Sequence, residues 1–320
     1  MAHNNIYANT IERTDPVEIE KVVNQQDTLR SVDGFILREI NDELFLVIHQ
    51  DKIQESVEYM MKNKINGLEI NISLGFPGMD ISFLSELTFL QKLSIVHPSL
   101  NETQAINSLH QLRYLALDSF FYSQLDFNNF PKLEKCYLVW TPQIKNLESA
   151  KKLKTLLLRG YKKESLEEIG FLKNLEVLSV MNSPIKSLKG LSNLLKLRIL
   201  RLGLLRNLEL LDGIESLQDL ELLEIDKCRK ITSLDSISNL VRLEEISVND
   251  CQNIKSLTPI VNLKSLRAFF FWGDTNIVDG NLSHILTLKK LSKISFKPRK
   301  HYSHDKESLL SKIERLNHIN

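Results

Sequence analysis

Apolar residues recur along this chain with two alternating periods. A Leu-x-x-Leu-x-Leu pattern runs through Leu90-Leu93-Ile95, Leu112-Leu115-Leu117, Leu133-Cys136-Leu138, Leu153-Leu156-Leu158, Leu175-Leu178-Val180 and Leu197-Leu200-Leu202. It continues at Leu220-Leu223-Ile225, Leu243-Ile246-Val248, Leu266-Phe269-Phe271 and Leu291-Ile294-Phe296, after a weaker copy at Ile65-Leu68-Ile70. The eleven copies are separated by steps of 25, 22, 21, 20, 22, 22, 23, 23, 23 and 25 residues. The closing pair of each copy alternates apolar with polar, which predicts a short strand with one buried face. The second half spaces its apolar residues by three, as in Ile231-Leu234-Ile237-Leu240, and this suits a 3₁₀ or short helical return. The return through Leu166, Ile169 and Leu172 is rich in Glu and Lys, which predicts a more helical path there. One such unit cannot bury its own stripe, whereas stacked units share a core. The pattern therefore predicts an α/β solenoid over residues 65–300: a gently curved arc with a parallel sheet on its concave face and 3₁₀ or short helices on its convex face.

Residues 1–64 lack the repeat and read as an N-terminal segment and cap. Gly34–Ile40 and Glu43–His49 flank Asn41-Asp42 as a β-hairpin would. Asp51 is placed to cap a helix, with Gln54 completing a capping box and Ile53, Val57, Met60 and Met61 as its apolar stripe. Residues 301–320 read as a C-terminal helical cap, with Asp305 ahead of Leu309, Leu310, Ile313 and Leu316. The first thirty residues are polar enough to predict partial disorder. A separate small domain over residues 1–50 is the alternative, but so short a segment builds little core of its own.

Composition narrows the functional classes. Lys plus Arg (41) nearly cancels Asp plus Glu (40), which argues against a general nucleic-acid binder. No run approaches the ~20 apolar residues of a membrane span. Met1–Asp15 is polar, and three cysteines are too few to staple the chain, so the expectation is a cytoplasmic protein with reduced thiols, monomeric when unbound. No phosphate loop, metal-binding helix, nucleophile elbow or Cys-x-x-Cys pair is present, and the expectation is no catalytic site, cofactor, metal or small-molecule substrate. His301, His304 and Asp305 sit close in sequence, but two histidines on a polar tail are more simply solvated. Cys228 and Cys251 fall at the same turn position of adjacent copies and read as buried thiols, while Cys136 takes a core leucine position.

The segment LEEISVNDCQNIKSLTPIVNLKSL carries a family resemblance. It is similar to leucine-rich repeat proteins of the short-repeat kind, such as internalins and phosphatase-regulating repeat proteins. The resemblance covers roughly residues 65–300 and speaks to fold far more than to function. Those families usually keep Asn at the turn after the strand; the corresponding positions here are Ser183, Cys228, Cys251 and Asp274, which predicts a mixed, less regular turn ladder.

Strand alternation then names the concave wall. Tyr114, Asp118, Tyr137, Val139, Trp140, Leu157, Arg159, Met181 and Arg201 are expected in its middle, and Phe270 and Trp272 near its C-terminal end. Glu224, Asp226, Glu245 and Asp250 form an acidic band between them, with Asn249 in the same strand pattern. Because FFFWG is locally dense, a one-residue slip would exchange buried for exposed rings. Large apolar side chains on a strand face that should be polar, together with Arg, are the usual anchors of protein interfaces. The expectation is a non-enzymatic module that holds a partner protein on its concave sheet. By analogy with cytosolic repeat arrays it could serve as an inhibitor or immunity protein. The alternatives are a regulatory subunit of an enzyme such as a phosphatase, a surface adhesin, and an enzyme with an N-terminal active site.

Overall fold

The structure is a computed structural model and describes residues 27–40 and 42–318, the last three without their side chains. Asn41, the Leu316 side chain and most of the segment expected to be partly disordered (residues 1–26) lie outside the described residues. The chain divides into two compact units, residues 1–133 with 137–145, and residues 134–136 with 146–320.

In the first unit, β1 (Asp27–Val32), β2 (Phe35–Ile40) and β3 (Glu43–Val47) pair antiparallel in chain order. The hairpin expected from Gly34–His49 is thus the second half of a three-stranded meander. Residues 27–30, expected within a partly disordered stretch, instead belong to β1. Its residues are almost all exposed, so the strand carries no apolar alternation that could have announced it.

After β3 comes a 3₁₀ turn at Gln50–Lys52 and then α1 (Ile53–Asn63). The expected Asp51–Gln54 capping box does not form. His49 accepts the Asp51 N–H at the 3₁₀ turn, no side chain caps α1, and Gln54 donates to Glu58. Met60 is fully buried under α1, but Met61 is 62% exposed; Ser56 takes the second buried place on the helix. The covered face therefore runs through Ile53, Ser56, Val57 and Met60, and of the expected stripe only Met61 turns outward. The chain continues into β4 (Gly67–Asn71), β5 (Lys92–Leu100) and β6 (Tyr114–Phe121), joined in parallel to β3 and to one another in chain order. A four-residue helix, α2 (Gln104–Asn107), lies in the return between β5 and β6. The short strands β7 (Leu125–Asp126) and β9 (Ile144–Lys145) pair separately, and β8 (Lys135–Val139) is divided between the two units.

The second unit shows the repeat in its regular form. Parallel strands β10 (Thr155–Arg159), β11 (Val177–Met181), β12 (Ile199–Gly203), β13 (Leu222–Asp226) and β14 (Glu245–Asn249) pair in sequence. A two-stranded side ladder joins β15 (Asn253–Ile254) to β17 (Asn276–Ile277), while β16 (Ala268–Phe271) and β18 (Lys293–Phe296) extend the main sheet. Two rows of side chains point into the core. Leu156, Leu178, Leu200, Leu223, Ile246 and Phe269 are in register and wholly buried, and the row of Leu158, Val180, Leu202, Ile225, Val248 and Phe271 is buried as completely.

Most returns carry a 3₁₀ turn, as at Asp235–Ile237 and Thr258–Asn262, and the return between β12 and β13 is built of plain turns. The return at 166–172 is no more helical than the others, reduced to a 3₁₀ turn at Ile169–Phe171. Gly170 explains the difference, since a Cβ there would lie 2.6 Å from the Gly190 carbonyl oxygen of the next repeat. That close approach leaves no room for a wider α-helical turn. The chain ends in α3 (Lys306–His318), whose Ser308 N–H is capped by Asp305 at 2.7 Å and which buries Leu309 and Ile313. Among the described residues no helix is long and apolar enough to cross a membrane.

Candidate protein-binding face

Three columns of side chains, rather than two, stand on the face of each strand opposite the core. The alternation that places Ser179 and Met181 outward also places Val177 outward, two positions earlier. The first column in the second unit is therefore Val177, Ile199, Leu222, Glu245, Ala268 and Lys293. Sequence reasoning named only Tyr114 and Glu245 from this column, although the same period of two would have supplied the rest.

In the first unit this face is closed. Tyr114, from this first column, packs against Phe45 and Tyr137 with ring centroids 5.3 Å away in each case, and Ile40 and Ala116 complete the cluster. Tyr114 is only 5% exposed, so it does not present the open aromatic surface expected of it. The N-terminal meander delivers Ile40 and Phe45 to the ring, which the repeat pattern alone could not reveal. Val139 is likewise covered, at the end of β8 where the chain enters the buried turn at Thr141. Asp118, Tyr137 and Trp140 are half-buried.

Next to the aromatic cluster lies a buried ionic network. Arg38 grips Asp27 through Nε (2.7 Å) and Nη2 (2.5 Å), and Nη1 donates to Glu69 Oε1 at 2.6 Å. Asn71 donates to the same Glu69 oxygen, while Glu69 Oε2 is buried with no hydrogen-bond partner. Burial pushes the Glu69 carboxyl up, against the opposing pull of Arg38.

In the second unit the face is open. Leu157, Arg159, Met181, Arg201, Glu224, Asp226, Asn249 and Phe270 are half-buried, and Trp272 is 43% exposed. Phe269 and Phe271 are buried, so the register of FFFWG is the one that turns Phe270 and Trp272 outward. Trp272 is held from behind. Pairing of β14 with β16 stops at Ser247–Phe270, and the Asn249 side chain takes over, accepting the Trp272 N–H at 2.9 Å and donating to Ser247 Oγ at 2.7 Å.

Arg201 Nε donates to Glu224 Oε2 at 3.2 Å across the registered pair on β12 and β13, and Arg201 Nη2 is buried without an acceptor. Burial pushes the Glu224, Asp226 and Glu245 carboxyls up; Glu224 adds to the effect at Glu245, and Asp250 to that at Asp226. Asp250 is drawn into the turn instead, where Oδ1 accepts the Asp274 N–H at 3.0 Å.

No family model and no curated protein matches the chain. Its fold does match solved structures. The internalin InlF from Listeria monocytogenes superposes with a TM-score of 0.59 over 84% of this chain and 84% of that one, at 19% identity. The functional domain of InlJ from Listeria monocytogenes, which includes a cysteine ladder, superposes with a TM-score of 0.56 at 16% identity. That match covers 78% of this chain but only 57% of the InlJ chain. The chain has the leucine-rich repeat fold. At these identities the likeness establishes its fold and nothing further.

The turn ladder of this leucine-rich repeat protein is built from mixed donors. After each strand one residue adopts a left-handed conformation: Gly160, Asn182, Leu204, Lys227 and Asp250. The next residue points inward. Ser183 Oγ donates to Met181 O at 3.0 Å, and Cys251 Sγ to Asn249 O at 3.1 Å. Cys228 Sγ reaches Asp226 O at 3.5 Å, and Leu205 leaves its rung apolar. Asp274 does not occupy the rung expected of it. Gly273 takes the same left-handed position as Asp250, but one extra residue, Asp274, follows it, so Thr275 occupies the rung and donates to Val248 O at 2.7 Å while Asp274 stays exposed. All three cysteines are buried and free, and burial pushes the Cys228 thiol up to about 12.

The histidines near the C-terminus are engaged in the fold. His301 Nε2 lies 3.0 Å from Ile277 O, and His304 Nδ1 pairs with Ser303 Oγ at 2.9 Å. Among the described residues no group of three or more His, Cys, Asp or Glu could hold a metal ion.

Proposed function

We propose that this leucine-rich repeat protein is a non-catalytic binding module that holds a partner protein against the open sheet face of its second unit. The observation that carries this reading is the outward pair Phe270 and Trp272, the latter 43% exposed on a backbone fixed by Asn249. Aromatic rings held rigid before binding lose little entropy when a partner covers them. Covering roughly 100 Å² of Trp272 would contribute about 2.5 kcal/mol. The corresponding face of the first unit is filled by the Tyr114 cluster.

A non-catalytic role accords with thiols that are buried and hard to ionise, which makes them poor nucleophiles. As in the cysteine ladder of InlJ, Cys228 and Cys251 are stacked in adjacent repeats, and we read them as structural. Three free thiols with no disulfide suit a reducing, cytoplasmic setting. Inhibitory, immunity and regulatory-subunit roles share this geometry and differ in the partner held.

The test is a quantitative pull-down with the full chain, comparing wild type with Phe270→Ala/Trp272→Ala and with a control at the exposed Leu195 of a return, Leu195→Ser. The expected result is a partner retained by wild type and the control but lost from the double variant. A partner that binds all three equally, with circular dichroism unchanged, refutes the reading.

A further inference from the structure

We infer that the open face of the second unit takes a partner segment bearing an arginine or lysine, seated over Ser247 between the Glu224 carboxylate and the Phe270 ring. This rests on the proposed binding face and adds the chemistry of what binds there.

The notch is set by strand register. Glu224, Ser247 and Phe270 stand side by side on β13, β14 and β16, and in the neighbouring column Glu245 stands beside Ala268. Ser247 and Ala268 are small and nearly buried, so they form a floor. Across two strand spacings the carboxylate and the ring stand roughly 10 Å apart, enough for a planar guanidinium or an ammonium to enter between them. A cation there can pair with Glu224 and lie against the Phe270 face.

The charge around the notch selects the occupant. Glu224 and Glu245 sit on adjacent strands and repel each other in a partly desolvated place, and Asp226 and Asp250 repel in the same way. Arg201 engages Glu224, Lys227 lies 3.6 Å from Asp226, and Lys293 stands beyond Ala268 from Glu245. These cations border the carboxylates. An apolar occupant would strip water from the carboxylates without replacing it, and an acidic one would add repulsion.

The experiment selects a displayed library of random twelve-residue peptides on the immobilised full-length protein. The bound pool is then measured on Glu224→Gln/Glu245→Gln and on Phe270→Ala/Trp272→Ala, with folding checked by circular dichroism. Peptides selected on wild type should be enriched in Arg or Lys and should bind each double variant at least about tenfold more weakly. Their binding to wild type should weaken as salt rises, and the Glu-to-Gln variant should lose most of that dependence. Peptides that lack basic residues yet fail on Phe270→Ala/Trp272→Ala overturn the cation and leave the face standing. Peptides that bind every variant equally, or no selected peptide at all, overturn both.

Discussion

The Arg38–Glu69 pair provides the sharpest quantitative test of the first unit. The Glu69 side chain is wholly buried and that of Arg38 only 9% exposed, with 2.6 Å between them. Replacing Arg38 with Met keeps much of its aliphatic volume but leaves Glu69 with Asn71 as its remaining hydrogen-bond partner. Stranding a buried carboxylate in this way costs about 3–5 kcal/mol, whereas removing both charges is close to neutral. Arg38→Met should therefore destabilise the first unit by that amount, and Arg38→Met/Glu69→Met should recover all but about 1–2 kcal/mol. The pH dependence has a definite sign. The Glu69 carboxyl is already held above its ordinary value, mainly by burial, and loses the opposing pull of Arg38 in the variant. A raised carboxyl stabilises the fold below its unfolded value and loses that contribution as pH rises through the folded one. The deficit of Arg38→Met should thus be smaller at pH 5 than at pH 8. Urea unfolding followed by Trp140 fluorescence in a Trp272→Phe background reads the first unit alone, since these are the only two tryptophans. A loss under about 1 kcal/mol, or one that the double variant does not reverse, refutes the account of a buried ionic clasp.

Four further outcomes follow from single residues. Leu204 holds a φ of 56°, where Asn182 stands in the equivalent turn, so Leu204→Asn should stabilise the second unit by about 1 kcal/mol in the same urea assay read by Trp272. At Gly67 a Cβ would lie 2.2 Å from Leu44 O, so Gly67→Ala should cost at least about 2–3 kcal/mol or displace β3, seen as a lower unfolding midpoint. Because Glu245 is held above its ordinary value by burial and by Glu224, Glu245→Gln should raise the melting temperature at pH 8 and leave it unchanged at pH 4. The three buried thiols should resist a disulfide reagent at pH 8 in the native protein and all react once urea unfolds it; rapid native labelling would contradict their burial.

The repeat was legible because its two core rows obey a strict period of two, repeated often enough that a substitution such as Cys136 for Leu does not blur it. Phe269 and Phe271 kept that period inside FFFWG, which is why the outward placement of Phe270 and Trp272 could be read in advance. What escaped were the contacts between segments of different kind. β1 has both faces largely exposed and no alternation to detect, and Tyr114 is covered by side chains from a hairpin about seventy residues earlier in the chain. Asp274 lost its rung because this turn holds one more residue between its left-handed position, Gly273, and the inward-pointing Thr275.

The open face is informative because the fold asks so little of it. The inward rows must be apolar, and the turn rungs must supply a donor or fill a small space, but the outward columns need only tolerate water. Ser179, Ser247 and Ser295 meet that minimum. Phe270 and Trp272 do not, and neither do the repelling carboxylates at Glu224 and Glu245. The crowded acids lower the stability of the unbound chain relative to a plain polar residue, and the rings leave apolar area in contact with water. Asn249 adds a further sign of constraint, since its amide spans the end of the β14–β16 pairing and fixes the Trp272 backbone. A packing role would require these side chains to point inward, where Phe269 and Phe271 already fill the core. Open apolar area and crowded charge on these columns are what a partner on the proposed binding face would cover.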